Sequence, residues 1–523
     1  MKKWLKYILY IIGVAAAWYV LLPAIHPQAL ETYVFVFIAL LFLYAIVKSD
    51  SIKKAMAKEN ITIDPKNKWL VTLPIIALVL VINYLAFSPI FAAKSWANRI
   101  TVTPSEFTED IHEVDLNNLP LLDKTSTSKV GDRVMGQIPE LISQFDVSSL
   151  YTQINYQGRL VRVTPLNYNG LFKWLNNRSS GIPGYIVVDS TTGEAKLIRL
   201  EEGITYSNSA YFQENLTRHL RFRYPFKIFG ETNFEINEEG HPYWVTQVLK
   251  YKFIQMMPDI EGIIVTDAVN GDTTYYSTGE VPAWIDHVYS AALIVDQVNC
   301  WGMYQGGFLN SFIGQKDVTQ TTEGYTYLAE GDDIYIYTGL TSALGDESNI
   351  GFILSNLRTK QTTYYAIPGA EEYSAMASAE GAIQEKGYIS TFPLLINLNS
   401  RPTYLVSLKD AAGLVKAYAF IDVANYQKVK VTDSEMGLKY AANAYLAMMG
   451  DKQLVSDGDE VSGTITSIEA VVIDGYTYYY FMLEGDSNVY KALITTSDTL
   501  PFKKAGDPIR FTHQSNTVSS ISE

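Results

Sequence analysis

Three long uncharged apolar segments crowd the first 93 residues, and no stretch of that kind recurs in the 430 that follow. Tyr7 to Ile25 runs 19 residues without a charge, and Trp69 to Ala93 runs 25. Both meet the roughly 20 apolar residues that a hydrocarbon core about 30 Å thick demands. Thr32 to Val47 is shorter at 16 residues, but it is apolar on every face, unlike an amphipathic surface helix. Trp4, Trp18, Tyr33 and Trp69 sit near segment ends, where interfacial aromatics belong. The expectation is a three-helix transmembrane anchor over residues 1–93, carrying one large ectodomain.

Lysines set the expected orientation. Lys2, Lys3 and Lys6 precede the first segment, and the loop from His26 to Glu31 has no Lys or Arg. The loop after the second segment holds Lys48, Lys53, Lys54, Lys58, Lys66 and Lys68. Positive loops stay cytoplasmic. The N-terminus and lysine loop are therefore expected inside, and everything after Ala93 outside. The cytoplasmic pieces are too short to fold as an output domain.

Charge divides with the topology. The first 93 residues hold 9 of the 41 Lys/Arg and 4 of the 55 Asp/Glu, which leaves 32 against 51 beyond them, a net of −19. Such an acidic ectodomain does not suit nucleic acid or an anionic surface. Cys300 is the only cysteine, so no intrachain disulfide exists. That favours a bacterial cell envelope, of single-membrane type, over a secretory pathway with strong oxidative folding.

The exported part repeats itself. GYIVVDSTTGEAKLI starts at Gly184, GIIVTDAVNGDTTYY at Gly262, GFILSNLRTKQTTYY at Gly351 and AYAFIDVANYQKVKV at Ala417. Each reads as strand, turn, strand. Asp189, Asp267, Asn356 or Asp422 caps the turn, and Gly193 or Gly271 takes its left-handed position. Helix-period stretches precede the hairpins: Arg133 to Phe145, Ala210 to Phe222, Ala283 to Val298 and Glu371 to Lys386. The unit is a helix laid across a small antiparallel meander.

This unit resembles the PepSY module of peptidase propeptides and of tethered bacterial proteins, of the YpeB type. The resemblance rests on the helix, the meander and the aliphatic-Asp-x-x-x-Gly hairpins at Asp189/Gly193 and Asp267/Gly271. Lys360 and Tyr426 stand where the module has glycine, so the last two copies depart from it. The resemblance implies a non-catalytic module that binds or restrains other proteins, sometimes proteases.

Two further regions stand apart. Asn299 to Asp317 gathers Trp301, Tyr304, Phe308, Phe312 and four glycines with few charges, a candidate partner contact or a loop tucked under the third unit. From Asp459 the chain alternates in strand fashion about Asp474-Gly475 and Gly485-Asp486, resembling a small OB-like barrel. Its few lysines and arginines lie among acids, so single-stranded nucleic acid is not its expected ligand.

Catalytic constellations are not visible. The six histidines form no HExxH or close pair. Ser126–Lys129 and Ser51–Lys54 match Ser-x-x-Lys without the companion motifs of that chemistry. Cys300 lacks a neighbouring base, His287 being 13 residues earlier, and reads as a buried thiol. Asp457-Gly-Asp459-Glu460 offers oxygens to a calcium ion but lacks the glutamate at position 12 of a calcium loop.

The expected fold class is an α+β ectodomain of helix-plus-antiparallel-meander units behind transmembrane helices, ending in an all-β barrel. The expected divisions are the anchor 1–93, a linker 94–130 and units over 131–206, 207–282, 283–370 and 371–431. The third unit is divergent and carries the aromatic, glycine-rich insertion. A helix and linker follow over 432–458, then the barrel 459–523. The expected role is a membrane-anchored extracytoplasmic scaffold, not an enzyme. It would have no cofactor, no metal and no nucleic acid, with envelope or membrane proteins, a peptidase among them, as partners. A regulator or inhibitor of an envelope peptidase is the second reading, and an enzyme acting on cell-wall polymer the third.

Overall fold

The computed structural model describes residues 3–47, 68–116, 119–342, 348–451, 454, 459–473, 476–514 and 516–522. Lys2, Lys48, Lys53, Lys54, Lys58, Lys66, Ser51, Asp457 and the Asp474-Gly475 turn lie outside the described residues. Contacts divide the chain into two compact units, Met1–Val429 and Lys430–Glu523.

The first unit opens with helices α1 (Lys3–Leu21), α2 (Leu30–Val47), α3 (Lys68–Phe87) and α4 (Pro89–Ala97). Among the described residues one helix, Trp4–Leu21, is by itself long and apolar enough to cross a membrane. Ile75–Phe87 with Pro89–Ala97 passes the same test only as a pair bent by 56°, and Leu30–Ile46 is apolar but shorter. By length and composition, the described residues thus establish one of the three expected spans, or two if the bent pair is a single span. The bend falls at Pro89, which has no N–H to continue the ladder.

Four sheets follow, antiparallel except for one edge strand of the third. The first orders its strands Phe145–Val147, Arg159–Tyr168, Ile182–Asp189 and Ala195–Ile204, with Thr152–Tyr156 also on the second of these. The second is a plain meander of Ile228–Ile236, Pro242–Lys250, Asp259–Asp267 and Thr273–Ser277. The third centres on Asp333–Ser342, Ser348–Asn356 and Thr362–Tyr365, and the fourth on Leu394–Leu398, Arg401–Lys409 and Val415–Asp422. Helices α5 (Lys124–Gly136), α6 (Leu216–Arg223), α7 (Ala291–Tyr304) and α8 (Glu372–Ala382) precede the four sheets in turn. Side-chain caps start three of them: Asp123 accepts from Ser126 N, Asn215 from Arg218 N and Ser290 from Leu293 N.

Residues 94–130 are more than a linker. Val102–Ser105 pairs in parallel with Thr362–Tyr365 of the third sheet, and α5 begins at Lys124, ahead of the expected helix at Arg133. The later helix-period stretches also shift, because a capping residue starts each helix. α6 begins after Asn215 and α7 after Ser290, so α7 runs on through Trp301 to Tyr304.

The second sheet is buried on both faces. Phe234, Trp244, Val248 and Ile264 pack with Trp174, Tyr185 and Ile186 of the first sheet region. Val245, Ile263 and Val265 pack the opposite way, with Ile294 and Val298 of α7 and with Ile334, Ile336 and Ile353 of the third sheet. Strand alternation sends neighbouring residues into different cores, which explains the unbroken apolar run at Gly262.

Three closing hairpins share one turn. In the first, Asp189 N donates to Glu194 O (2.8 Å), Gly193 N to Asp189 O (3.0 Å), and Asp189 Oδ1 accepts from Thr191 N and Thr192 N. Asp267 repeats every contact with Asp272, Gly271, Val269 and Asn270. Asn356 repeats them with Gln361, Lys360, Arg358 and Thr359. The left-handed position is held by Gly193 (φ 77°), Gly271 (φ 80°) and Lys360 (φ 63°). The fourth hairpin differs. Asp422 N reaches Lys428 O, one residue further, and Asp422 Oδ1 accepts from Asn425 N. Tyr426 therefore does not occupy the glycine position, a correction to the aligned pattern: the longer loop closes without a left-handed residue.

The second unit holds α9 (Leu438–Met449) and five strands: Asp459–Ile473, Tyr476–Leu483, Tyr490–Leu493, Pro508–Gln514 and Thr517–Ser522. They pair in the order first, second, third, fifth, fourth and back to the first. A single parallel pair, Lys491 with Thr517, completes the circuit, so closure is minimal. Phe481, Tyr490, Phe511, Ile465 and Val518 fill its interior.

Candidate functional site

The aromatic segment from Asn299 does not form one surface. Trp301 and Tyr304 belong to α7, and Trp301 packs half-buried against the core beneath the third sheet. Gly302 abuts Thr319, where an added Cβ would lie 2.3 Å from Thr319 Oγ1. Phe308 is also half-buried. The chain then makes a π-turn over Asn310–Gly314, and there Leu309, Phe312 and Ile313 are 70, 77 and 75 % exposed. The grouping of Trp301, Tyr304, Phe308 and Phe312 is thus split: the first is core, the last is surface. The reason is helical continuity, since α7 carries Trp301 inward before the glycines release the chain.

Helix α7 is tied to the anchor. Arg99 sends Nη1 to Asp296 (2.7 Å) and Nη2 to Pro258 O (2.7 Å), and lies 3.8 Å from Cys300 Sγ. Burial pushes the Cys300 thiol up to about 11, so it is neutral and not a nucleophile at neutral pH. His287 Nε2 donates to Gln153 O at 2.6 Å, and burial lowers its pKa to about 4. The turn residues Asp189, Gly193, Asp267, Gly271, Asn356 and Asp422 are engaged in backbone closure as described. Among the described residues no group of three His, Cys, Asp or Glu is placed to hold a metal.

A pair of buried acids lies between the second and third sheets. Glu235, with no solvent exposure, accepts from Asp286 N (3.0 Å) and His287 N (3.3 Å). Asp286 Oδ2 accepts from Asn155 N at 2.7 Å. Burial raises Glu235 to about 7 against those two hydrogen bonds. Burial, and then the charge of Glu235, raise Asp286 well above the usual carboxylate range. Both acids hold backbone N–H groups. Their role is to join segments.

A polar chamber of about 350 Å³ has stronger ligand geometry. Its floor is Arg162, on the strand Arg159–Tyr168 and 8 % exposed. Arg162 stands directly opposite Gln153 in strand register, and Gln153 Oε1 accepts from both Nε (3.1 Å) and Nη2 (2.9 Å). Nη1 reaches Thr127 Oγ1 only at 3.5 Å. The first turn of α5 forms one wall through Asp123, Lys124 and Thr125. Asp123 is occupied elsewhere: Oδ1 accepts from Ser126 N (2.9 Å) and Oδ2 pairs with Lys409 Nζ (2.5 Å). Tyr325, Tyr327 and Phe392 supply aromatic surface, and Leu394 and Leu405 aliphatic surface. Sequence reasoning missed this site. Arg162 sits in RLVRVTPL, which reads as an ordinary strand, and its partners come from four distant segments. A larger groove of about 1050 Å³ lies open along the first sheet, where Arg159, Lys196, Arg199, Glu201 and Glu239 mix both signs.

No protein-family model matches the chain. No curated protein matches it in sequence. Among solved structures, a candidate glycoside hydrolase from Parabacteroides distasonis aligns at 12 % identity over 66 % of this chain and 85 % of its own, with a TM-score of 0.16. An ACO/RPE65 chimera aligns at 8 % identity over 67 % and 59 %, with a TM-score of 0.13. Superpositions this poor carry no argument about fold or activity.

Proposed function

We propose that the chain is a membrane-anchored scaffold of the bacterial cell envelope, holding binding modules outside the cytoplasm without catalysing a reaction. The observation that carries this reading is the joint between anchor and ectodomain. The loop after α1 is seated on the second sheet: Ile25 N donates to Pro225 O (2.8 Å), Gln255 N to Gln28 O (3.0 Å) and Tyr251 N to Gln28 Oε1 (3.1 Å). Arg221, 4 % exposed, donates from Nε to Leu22 O (3.0 Å) and from Nη1 to Lys227 O (2.6 Å). From α3, Phe87 stacks on Phe253 with centroids 3.7 Å apart. A joint this polar and specific transmits position, which a scaffold needs and a simple tether does not.

The same joint supports a multi-pass topology with the N-terminus inside. The end of α1 and the end of α3 both meet the second sheet region, as three successive crossings would require. The lysine asymmetry points the same way. The recurring hairpin turns support PepSY-like modules, and the strand order of the C-terminal unit supports an OB-like one. Burial keeps the Cys300 thiol neutral, which supports a structural role for that residue.

Thiol labelling in intact cells tests the topology. Cys300 is buried, so background is low. A cysteine replacing Phe172, which is 77 % exposed, should react with a membrane-impermeant maleimide. A cysteine at Lys6 should react only after lysis. The reverse pattern removes the extracytoplasmic reading. Hydrolysis of a peptide or wall polymer by the purified chain, lost on changing one carboxylate, removes the scaffold reading.

A further inference from the structure

We propose that the chamber above Arg162 is a binding site for a small organic carboxylate with an apolar or aromatic body. Three independent observations converge there.

The first is an arginine buried without an ion pair. No carboxylate lies within 4 Å of the Arg162 guanidinium among the described residues, and its firm hydrogen bonds go to the neutral Gln153. A guanidinium carries five N–H donors in a planar fork. Two bonds to Gln153 and one 3.5 Å contact to Thr127 leave two donors without a protein acceptor. A buried charge is tolerated when paired and hydrogen-bonded, and here the pairing is incomplete. Burial holds the guanidinium down to about 10, still charged at neutral pH, with Asp123 and Tyr327 opposing that shift.

The second is a donor with no acceptor. Gln153 is 3 % exposed, and its Nε2 has no hydrogen-bond partner. Its carbonyl oxygen is held by Arg162, so the amide cannot turn over without breaking both bonds. The arginine and the glutamine therefore share one unmet need, an acceptor-only group. A carboxylate has two oxygens and no proton, and a planar one fits the fork.

The third is the chamber itself. Its volume, about 350 Å³, suits a small organic molecule better than a bare ion. The N-terminal turn of the 13-residue α5 adds the positive end of a helix dipole. Tyr325, Tyr327, Phe392, Leu394 and Leu405 offer the apolar surface that a side chain or ring would cover. The same walls argue against a phosphate. A dianion would face the Asp123 carboxylate and lose its hydration to hydrocarbon, whereas a monoanion with an apolar body satisfies both surfaces.

The test uses the full chain in lipid nanodiscs. N-acetylphenylalanine, N-acetylphenylalaninamide and inorganic phosphate are titrated separately by calorimetry, with thermal unfolding alongside. The acid should bind and raise the unfolding midpoint. The amide, matched in shape but uncharged, should bind at least about tenfold more weakly, the factor that 1.4 kcal/mol represents. Phosphate should not displace the acid. Arg162→Met should abolish binding of the acid. If that variant does not fold, Tyr325→Ala alters a wall residue that is 41 % exposed, and it should weaken the acid while keeping a cooperative unfolding transition. Equal binding of acid and amide, phosphate in place of the acid, full affinity in either variant, or no heat from the acid up to about 10 mM overturns the proposal. No partner protein enters the experiment, so its failure is distinguishable from failure of the scaffold reading.

Discussion

Lys360 holds Asp259 in a 2.8 Å ion pair from a left-handed backbone, φ 63°, in the position that glycine fills in the two sister hairpins. Its ammonium also lies 5.3 Å from the centre of the Tyr289 ring, and the side chain is 15 % exposed. The turn thus accepts a backbone cost of about 1–2 kcal/mol for a tie between the second and third sheets. Lys360→Ala should keep the strain and lose the tie, destabilising by about 1–2 kcal/mol. Lys360→Gly loses the same tie but relieves the backbone, so it should be about 1 kcal/mol more stable than the alanine variant. Denaturant midpoints of the three proteins check the order. Alanine matching or exceeding glycine would contradict the strain argument.

Arg221 should control the joint between anchor and ectodomain. Replacing it with leucine strands the carbonyls of Leu22 and Lys227, at a cost of about 2–4 kcal/mol. Cysteines at Gln28 and Gln255, whose backbones share a hydrogen bond, report on the joint directly. Oxidation should join them readily with Arg221 present and poorly with Arg221→Leu. Unchanged crosslinking would show that the loop is held by its apolar contacts alone.

Stability should depend on pH through Glu235 and His287 with opposite signs. The folded Glu235 carboxyl, raised to about 7 from an ordinary 4.5, binds its proton more tightly than in the unfolded chain. Its contribution is full below about pH 4.5 and declines as pH rises to about 7. Asp286 acts in the same direction. The His287 imidazole, lowered to about 4 from 6.5, binds its proton less tightly when folded, so its contribution grows as pH rises through that window. Two carboxyls outweigh one imidazole, and the thermal midpoint should fall between about pH 5 and 7.5. Glu235→Gln should reduce that fall. An identical pH profile in the variant would remove Glu235 as its source.

The exposed tip after α7 separates surface from core. Phe312→Ser with Ile313→Ser should leave the unfolding midpoint within about 0.5 kcal/mol of the parent, since both side chains are three-quarters exposed. Trp301→Ala should cost about 2 kcal/mol or more, because it opens the packing beneath the third sheet. If the tip is a partner contact, crosslinks from a probe at position 309, itself 70 % exposed, should vanish in membranes carrying the serine pair and persist in a control changed at Phe172. Crosslinks that survive the serine pair would place the contact elsewhere.

Local chemistry determined what could be read directly from the chain. Asp189, Asp267 and Asn356 mark their turns because an Asx side chain reaches the N–H groups two and three residues on, a contact written within five residues. The apolar helices of the anchor are legible for the same reason, each being a continuous run. Where the pattern broke, one inserted residue at the fourth turn was enough to displace Tyr426. Tertiary structure alone decided the chamber. Asp123 meets Lys409 across 286 positions, and the walls gather the first turn of α5, the strand of Arg162 and residues near Tyr327 and Phe392. No periodicity records such meetings, because they depend on how whole sheets stack. Arg162 shows the limit most plainly: its strand looks ordinary, and only the packing of three sheet regions around it leaves a buried charge with neutral hydrogen-bond partners and no ion pair among the described residues.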